Sequence, residues 1–316
     1  MTGHVSQLHD KNVLGIEIMT GKRILITGVT GMMGRAMART LVSGNTVYGV
    51  ARFSDPELRS RLEHLGVECI PCDLHDQDLS CLPANVDTLL HFAVSYDNDA
   101  ATMAFNGFLV GRLLSHLTRL EQYVVSSSVA VYRGASRYDI SEQSPTIPNG
   151  IYGTTKLAGD VLATHISRER RLPGAILRYW FPYTDEPDVS SDYFQGLLQR
   201  LREGKTFVVP DDDTVCQQPL FIDDLVRITV DALDFVSDEP FVLNVAGHKR
   251  LPLMQVISTL AEVFELEPQI RVAPTDACNL LHGSYDLTRL AETCGLGTVG
   301  FREGQVRLKK AMQDLP

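Results

Sequence analysis

Tyr152 and Lys156 are the residues of this chain whose types and spacing best suit proton transfer. They stand four positions apart in a stretch predicted to be helical, so both side chains lie on one helix face. A free tyrosine has a pKa of about 10 and is a poor base near neutrality. A neighbouring ammonium group favours the phenolate and lowers that pKa. The pair is therefore suited to exchange a proton with a hydroxyl or carbonyl oxygen.

A cluster of three serines, Ser126 to Ser128, ends an apolar, strand-like run upstream of this pair. We expect the Ser128 hydroxyl to hold a substrate carbonyl or alkoxide oxygen by a hydrogen bond. Lys156 can also bind the ribose of a nicotinamide cofactor. A tyrosine and a lysine at this spacing are common on exposed helices, so the assignment depends on the serines and on a cofactor site elsewhere in the chain.

The segment from Gly28 to Gly34 has three glycines at intervals of three residues, follows a strand and opens a helix. Small residues let the backbone approach a pyrophosphate, which the free N–H groups of the helix N-terminus then bind. The spacing differs from the GxGxxG of many dehydrogenases, but the strand–turn–helix context predicts dinucleotide binding. The residues assigned to the cofactor here are Gly28, Thr30, Gly31, Met32, Met33 and Gly34.

The end of the second predicted strand indicates which dinucleotide is bound. NAD sites carry a carboxylate there for the ribose hydroxyls, and NADP sites accept a basic side chain. The stretch from Gly49 to Arg52 has no acid, and Arg52 can pair with a 2′-phosphate. We predict NADP(H) as the preferred cofactor, with NAD(H) possible and a solvated Arg52 as the alternative. Asp73 and Leu74, after the third strand, are assigned to the adenine, or else form a plain loop.

The composition argues against two classes of partner. The chain has 316 residues and a formal net charge of -10, so it lacks the basic surface that attracts nucleic acid or an anionic membrane. No apolar run reaches the roughly 18 residues of a membrane-spanning helix, and the first 19 residues do not resemble a secretory signal. We expect a cytoplasmic protein that acts on a small molecule.

Six cysteines are few for this length, and we expect reduced thiols. Cys69 and Cys72 have the spacing of a redox motif, but they lie in a strand-like run rather than opening a helix. No second pair with this spacing completes a zinc site, so no metal is predicted.

Strand-like and helix-like segments alternate through the first 180 residues. Strands are predicted at 22–27, 46–51, 67–72, 86–93, 122–128 and 174–179, and helices at 32–42, 55–65, 98–120 and 152–170. This alternation predicts an α/β fold with a parallel sheet covered on both faces. Right-handed crossovers make the sheet doubly wound, as in the Rossmann fold.

The alternation of strands and helices becomes irregular after residue 182, and we predict that the chain has three parts. Residues 1–20 form an N-terminal extension, 21–182 a cofactor-binding domain, and 183–316 a smaller mixed α/β lobe for the substrate. Segments of 215–250 are expected to return to the main sheet. Aromatic residues cluster where the lobe begins, either lining a substrate pocket or packing the core. The residues assigned to the substrate are Ser128, Tyr179, Phe181 and Tyr183.

The motifs together resemble those of the extended short-chain dehydrogenase/reductase family, the NAD-dependent epimerase/dehydratase group, over roughly residues 22–312. The matching segments are Thr27–Gly34, Cys72–Leu74, His91–Val94, Ser126–Tyr132, Tyr152–Lys156 and Phe221–Leu225. The resemblance implies a bound nicotinamide cofactor, and catalysis by Ser128, Tyr152 and Lys156. It further implies that Asn106 supports the site, and that the chain is a homodimer joined by a four-helix contact including the Tyr152 helix. The cofactor residues that it adds are Phe92, Ala93 and Val94.

Two departures from this family bear on the substrate. Sugar-nucleotide epimerases of the family carry an asparagine where this chain has Phe181, and an arginine where it has Cys216–Pro219. Both groups grip the sugar nucleotide. Val129 and Ala130 follow Ser128 in place of the Asp-Glu pair of the 4,6-dehydratases, so dehydration is not expected.

We predict an NADP(H)-dependent oxidoreductase that reduces a ketone or aldehyde, or oxidises the matching alcohol. Tyr152 handles the proton, Ser128 fixes the oxygen and Lys156 tunes the tyrosine. Two alternatives stay open. One is a nucleotide-sugar 4-epimerase, which removes a hydride and returns it to the opposite face. The other is a non-catalytic protein that binds NADPH as a sensor.

Overall fold

The computed structural model describes residues 10–11, 17–76, 78–95, 99–133, 139–187, 189, 191–211, 216–274 and 284–314. The strands are β1 Asp10–Lys11, β2 Glu17–Ile18, β3 Arg23–Thr27, β4 Thr46–Ala51, β5 Glu68–Pro71, β6 Thr88–His91, β7 Gln122–Ser128, β8 Gly174–Tyr179, β9 Pro182–Tyr183, β10 Thr206–Pro210, β11 Cys216–Gln217, β12 Leu220–Phe221, β13 Phe241–Val245, β14 Leu251–Pro252 and β15 Gln269–Ala273. The α-helices are α1 Met32–Leu41, α2 Pro56–His64, α3 Ala100–His116, α4 Ile151–Arg170, α5 Tyr193–Arg202, α6 Ile222–Asp231, α7 Leu253–Phe264, α8 Thr288–Thr293 and α9 Phe301–Gln313, and short 3-10 helices span Val129–Tyr132 and Ala232–Phe235.

Seven strands form the central sheet, in the order β13-β8-β7-β6-β3-β4-β5. The neighbours β7, β6, β3, β4 and β5 pair in parallel. The order reverses direction at β3, whose neighbours are β4 on one side and β6 on the other. Ligands of open parallel sheets bind beyond the carboxyl ends of the strands at such a reversal. The doubly wound α/β fold predicted from the sequence is therefore confirmed.

The middle strands have the apolar character of strands covered on both faces. Every residue of β6 and β8 is buried, whereas the edge strand β5 has exposed residues at both of its ends. Helices α3 and α4 pack closely because glycines face the neighbouring helix. A Cβ added at Gly107 would lie 3.4 Å from the Ala158 Cβ, and one at Gly111 would lie 3.3 Å from the Leu162 side chain.

The chain divides into two compact units. The first comprises Met1–Val131, Pro148–Arg178 and Val226–Leu243, and the second Tyr132–Ile147, Tyr179–Leu225 and Asn244–Pro316. The first unit carries the central sheet. In the second, β10 pairs in parallel with β15, β9 with β12, and β11 pairs antiparallel with β14. Within the described ranges, no helix has both the length and the apolar character needed to span a bilayer.

The residues just before β3 pack against the fold, although the sequence assigns 1–20 to an extension. Ile18 is completely buried, and the carbonyl oxygen of Met19 accepts a hydrogen bond from Asn45 Nδ2 at 2.8 Å. The fold therefore includes the end of that segment. Residues 1–9 and 12–16 lie outside the described residues.

Candidate active site

The turn between β3 and α1 needs glycine at two positions for reasons internal to the fold. Gly28 has a φ of +70°, a region that L side chains rarely adopt. A Cβ there would lie 2.7 Å from the backbone nitrogen of Ala93, and a Cβ at Gly34 would collide with the Gly28 carbonyl oxygen. Gly28 lets the turn pass close to the end of β6, and Gly34 lets α1 pack directly against the turn.

Gly31 is less crowded than these two glycines. Among the described residues, the Gly28 carbonyl oxygen at 3.3 Å is the heavy atom that an added Cβ would approach within 4 Å. Helix α1 begins at the next residue, Met32, and no side chain caps its first N–H groups. A glycine followed by N–H groups that no side chain caps, at a helix N-terminus, fits a phosphate group. The turn residues therefore fit a dinucleotide, and Thr30 is held there by Arg35 Nη1, which donates to its carbonyl oxygen at 2.6 Å.

The other predicted cofactor residues follow neighbouring strands of the same sheet. Arg52 is exposed directly after β4, and Asp73 and Leu74 follow β5. The Asp73 carboxylate accepts a hydrogen bond from the backbone nitrogen of His75 at 3.0 Å. Leu74 is buried, and its carbonyl oxygen accepts from Arg112 Nη1 at 3.2 Å. Because β3, β4 and β5 are parallel neighbours, these residues share the carboxyl edge of the sheet with the glycine turn.

The segment after β6 lies against the glycine turn through Thr27. The Thr27 carbonyl oxygen accepts from the backbone nitrogen of Phe92 at 3.1 Å, and its hydroxyl oxygen accepts from that of Ala93 at 3.4 Å. Phe92 is buried, and Ala93 and Val94 are half-buried. The Thr27 hydroxyl also shares a 2.7 Å hydrogen bond with Nδ1 of the buried His91. Burial, with a smaller contribution from Lys156, lowers the His91 pKa to about 3, so this imidazole is neutral.

Lys156 joins α4 to β7 and reaches the predicted phenol. Its Nζ donates to the carbonyl oxygen of Ser126 at 2.8 Å and lies 5.9 Å from the centre of the Tyr152 ring. Tyr152 is half-buried, whereas Lys156 is 8% exposed. Burial lowers the Lys156 pKa to about 8, and Asp160 acts in the opposite direction. An ammonium group is thus held 5.9 Å from the centre of the Tyr152 ring, a position in which it would favour the phenolate.

The serine end of β7 lies under the first turn of α4. A Cβ at Gly153 would lie 2.5 Å from the carbonyl oxygen of Ala130, so the helix can approach this closely only with glycine there. Ser128 Oγ accepts a hydrogen bond from the backbone nitrogen of Ala130 at 3.2 Å. The hydroxyl proton is then left to be donated to another oxygen. The structure thus brings the Ser128 strand end to the helix that carries Tyr152 and Lys156.

The side-chain amide of Asn106, on α3, hydrogen-bonds with the backbone of the loop after β6. Its Oδ1 accepts from the backbone nitrogen of Ser95 at 2.9 Å, and its Nδ2 donates to the Ser95 carbonyl oxygen at 2.6 Å. Asn106 therefore fixes the segment after β6, which carries the predicted cofactor residues, and its described bonds are not with Lys156 or Tyr152.

The substrate residues assigned from the sequence lie in the second unit, apart from Ser128. Tyr179 is 5% exposed. Phe181 is half-buried, has a φ of +30° and stacks on Tyr193 with ring centres 4.4 Å apart. Tyr183 is fully buried, and its hydroxyl donates to the Gly300 carbonyl oxygen at 3.3 Å. Burial raises the Tyr183 pKa. We therefore assign Tyr183 to core packing, which corrects its place among the substrate residues, and we retain Phe181 as a candidate.

Cys72 and Cys81 form a disulfide bond, which corrects the expectation of reduced thiols for this pair. Leu74 and Leu79, which lie between the two cysteines, are buried, and the two cysteine Cα atoms are 6.6 Å apart. Spacing along the chain gave no sign of this pairing.

Sequence reasoning overlooked two further groups at the site, His91 and the ion pair of Asp160 with Arg178. A signal was present for each. His91 ends an apolar run, and Asp160 stands four residues after Lys156 on the same helix face.

Comparison with known proteins supports the same family over most of the chain. A family model described as the NAD dependent epimerase/dehydratase family matches residues 24–246. An "uncharacterized UDP-glucose epimerase" of Bacillus subtilis is 24% identical over 266 residues, 76% of this chain and 82% of that protein. UDP-glucuronate 4-epimerase 5 of Arabidopsis thaliana is 23% identical over 320 residues, 89% of this chain and 72% of that one.

Solved structures show the same fold. UDP-glucuronic acid 4-epimerase from Bacillus cereus in complex with NAD superimposes with a TM-score of 0.77 at 24% identity, covering 92% of this chain and 96% of that one. UDP-N-acetylglucosamine 4-epimerase from Methanobrevibacter ruminantium M1 gives a TM-score of 0.80 at 19% identity, covering 93% and 99%. At these identities the likeness establishes the architecture alone.

Proposed function

The chain belongs to the NAD-dependent epimerase/dehydratase family, and from that premise we propose that it is a nucleotide-sugar 4-epimerase with a retained nicotinamide cofactor. The observation that carries the proposal is the joint placement of Ser128, Tyr152 and Lys156 around the end of β7 and the start of α4. The relatives named above that have an assigned activity are 4-epimerases of uridine-diphosphate sugars. Their names favour epimerisation over the net reduction or oxidation that the sequence alone suggests.

The chain's own residues supply the proton chemistry of this reaction. Tyr152 accepts the proton of the substrate's carbinol hydroxyl, helped by the ammonium of Lys156 5.9 Å from its ring. The Ser128 hydroxyl donates a hydrogen bond to the same oxygen as it becomes a carbonyl. A bound nicotinamide would supply reversible hydride transfer at the same substrate carbon. Tyr152 then gives the proton back, so the reaction consumes no cofactor.

Residues around the β3–α1 turn would hold the dinucleotide. Gly31 and the uncapped start of α1 suit its pyrophosphate. We propose that the exposed Arg52 pairs with a 2′-phosphate and makes NADP(H) the preferred form. The Bacillus cereus neighbour was solved with NAD, so this preference would distinguish the present chain from it.

A second candidate function, net carbonyl reduction or alcohol oxidation, is favoured by one observation. Phe181 stands where sugar-nucleotide epimerases of the family carry an asparagine, and its ring stacks on Tyr193. An aromatic lining suits an apolar substrate better than a charged one. Under this function the same Tyr152 and Ser128 would serve one direction of hydride transfer, and the cofactor would be exchanged in each cycle.

One experiment separates these functions. The cofactor that co-purifies is identified by mass spectrometry of the denatured protein. The protein is then given a panel of uridine- and thymidine-diphosphate sugars, with ¹H NMR used to detect the 4-epimer and absorbance at 340 nm to detect net NADPH change. We expect the 4-epimer to form without added cofactor. Reduction of ketones that consumes NADPH, with no epimer formed, would establish the second function instead. NADPH binding without any turnover would indicate a sensor.

We further propose that the protein acts as a homodimer joined through α3 and α4. Each of these helices leaves a large apolar side chain in solvent, Phe108 at 59% exposure and Val161 at 60%. Side chains of this kind mark association surfaces when they form a patch.

A further inference from the structure

Asp160 lies one helical turn after Lys156 on α4, and both side chains are buried, 4% and 8% exposed. A buried carboxylate and a buried ammonium at this spacing are positioned to form a direct ion pair. The structure separates them instead. The Lys156 ammonium donates a hydrogen bond to the Ser126 carbonyl oxygen at 2.8 Å. Asp160 Oδ2 instead accepts a hydrogen bond from Arg178 Nε at 3.1 Å and forms an ion pair with Arg178 Nη2, also at 3.1 Å.

Arg178 comes from β8, so the ion pair joins the helix to the sheet. The buried carboxylate is thus paired with one cation, Arg178, and lies one helical turn along α4 from a second, Lys156. Burial raises the Asp160 pKa, and Arg178 is the largest influence that opposes this, followed by smaller contributions that include Lys156. The guanidinium opposes this protonation by holding the carboxylate in an ion pair.

The other groups that the described residues place near Lys156 are not carboxylates. His91, from β6, is neutral, because burial lowers its pKa to about 3. Ser126, from β7, offers a carbonyl oxygen, and Tyr152 lies on the same helix as Lys156 and Asp160. Among the described residues, Asp160 is thus the carboxylate whose charge favours the protonated form of this buried lysine.

We propose that Asp160, held by Arg178, is a positioning residue that keeps Lys156 protonated without forming a direct ion pair with it. A carboxylate free to turn would draw the ammonium away from Ser126 and Tyr152. A carboxylate bound to Arg178 stabilises the charge of Lys156 from one helical turn away and leaves its hydrogen bonds in place. The inference rests on the proposed function only in that Lys156 is taken to assist Tyr152.

The direct test is the protonation of Lys156 measured without substrate. The chain has seven lysines, so ¹³C NMR of labelled lysine Cε atoms can follow each one against pH, with Lys156 assigned from Lys156→Met. We expect the Lys156 midpoint to fall by about one pH unit in Asp160→Asn. In Arg178→Gln the freed carboxylate should raise the midpoint. Opposite shifts from the two halves of one ion pair would not follow from a purely structural role.

A matched control lies at the amino end of the sheet, where Arg23 pairs with Asp87 at 2.5 Å. Asp87→Asn removes a similar carboxylate from the same unit and should leave the Lys156 midpoint unchanged. The proposal is overturned if Asp160→Asn leaves that midpoint where it is in the parent protein. If Asp160→Asn does not fold, an unchanged or lowered midpoint in Arg178→Gln overturns it.

The pH profile of turnover provides the second readout. Activity that needs the ammonium is lost as Lys156 deprotonates, so the alkaline limb should move to lower pH in Asp160→Asn and stay in place in Asp160→Glu. The NMR measurement requires no turnover. Inactivity on every nucleotide sugar would therefore refute the proposed function without affecting this inference. An unchanged Lys156 midpoint in Asp160→Asn, with an active parent enzyme, would refute the inference without affecting the proposed function.

Discussion

Lys156 is a buried ammonium group whose charge we expect to lower the stability of the fold. Its neighbours Asp160 and Arg178 already balance one another, so the lysine adds one unmatched positive charge to the interior. Burial lowers its pKa to about 8 from an ordinary 10.5, which means that the unfolded chain binds this proton more tightly than the folded one does. A group kept at the expense of stability is expected where function requires it.

Replacing Lys156 by Met should therefore raise stability at pH 7. Because the folded pKa is lowered, the destabilisation is fully present below about pH 8 and disappears as the pH rises toward 10.5. A difference of this size corresponds to on the order of 1–3 kcal/mol. Thermal unfolding at pH 7 and pH 9.5 measures it. A variant less stable than the parent at pH 7, or a gain that is the same at both pH values, would contradict the argument.

Replacing Tyr152 by Phe removes only the phenol oxygen and should lower turnover by a factor of about 100 to 10,000, the usual contribution of a general acid or base. The ring is half-buried and stays in place, so the unfolding temperature should change little. Turnover and thermal unfolding are compared on the same preparation. Near-normal turnover of a folded variant would remove Tyr152 from the mechanism.

Arg52 should decide between the two dinucleotides. It is exposed after β4, and one charge-assisted hydrogen bond to a phosphate contributes about 1.5–3 kcal/mol. Arg52→Ala should therefore weaken NADPH binding about tenfold or more and leave NADH binding nearly unchanged, as measured by calorimetry on cofactor-free protein. Arg302→Ala, an exposed arginine of the second unit, is the control. Equal weakening for both cofactors would show that Arg52 does not contact the 2′-phosphate.

At the scale of elements, the sequence predicts the strands, helices and motifs that depend on residue type and spacing. It misses the features that depend on which side chains the fold buries. Alternating strands and helices locate the six predicted strands of the central sheet, because strands buried on both faces have continuous apolar runs. The two-residue strands β9, β11, β12 and β14 give no such signal. The glycine turn and the Tyr152 helix are visible as motifs. The partners of Asp160 and the inward direction of Tyr183 are not, because both follow from tertiary packing.

The approach of α4 to β7 depends on one glycine, and this gives a prediction about elements. A Cβ at Gly153 would lie 2.5 Å from the Ala130 carbonyl oxygen, so Gly153→Ala should push the start of α4 away from the Ser128 strand end. We expect turnover to fall at least about tenfold, since catalysis is sensitive to displacements near 1 Å, with a loss of about 1–3 kcal/mol in stability.

Gly150→Ala is the control for this change, because it lies on the same helix end and its added Cβ has nothing within 4 Å. Its activity should match that of the parent. Activity and chemical denaturation are measured for both variants. If both lose activity equally, the helix end matters for a reason other than the contact with Ala130.

At the scale of the whole molecule, the two units are stabilised in different ways. The first is built on the parallel sheet and its flanking helices. The second contains an aromatic core in which Tyr183 contacts Phe194, Phe221 and Phe301 by edge-on packing. The residues that we propose for cofactor binding and proton transfer belong to the first unit. The second unit, which carries Phe181, is therefore the part in which we expect substrate choice to be made.

The association of two copies is the last property to test at this scale. If α3 and α4 form the proposed dimer contact, sedimentation should give twice the 35.0 kDa mass of the chain. Introducing a charge into an apolar interface opposes association, so Phe108→Glu with Val161→Glu should give monomers. Leu65→Glu, at an apolar position of similar exposure in the α2 region, should remain dimeric. A parent protein that sediments as a monomer at micromolar concentration would show that Phe108 and Val161 are exposed for another reason.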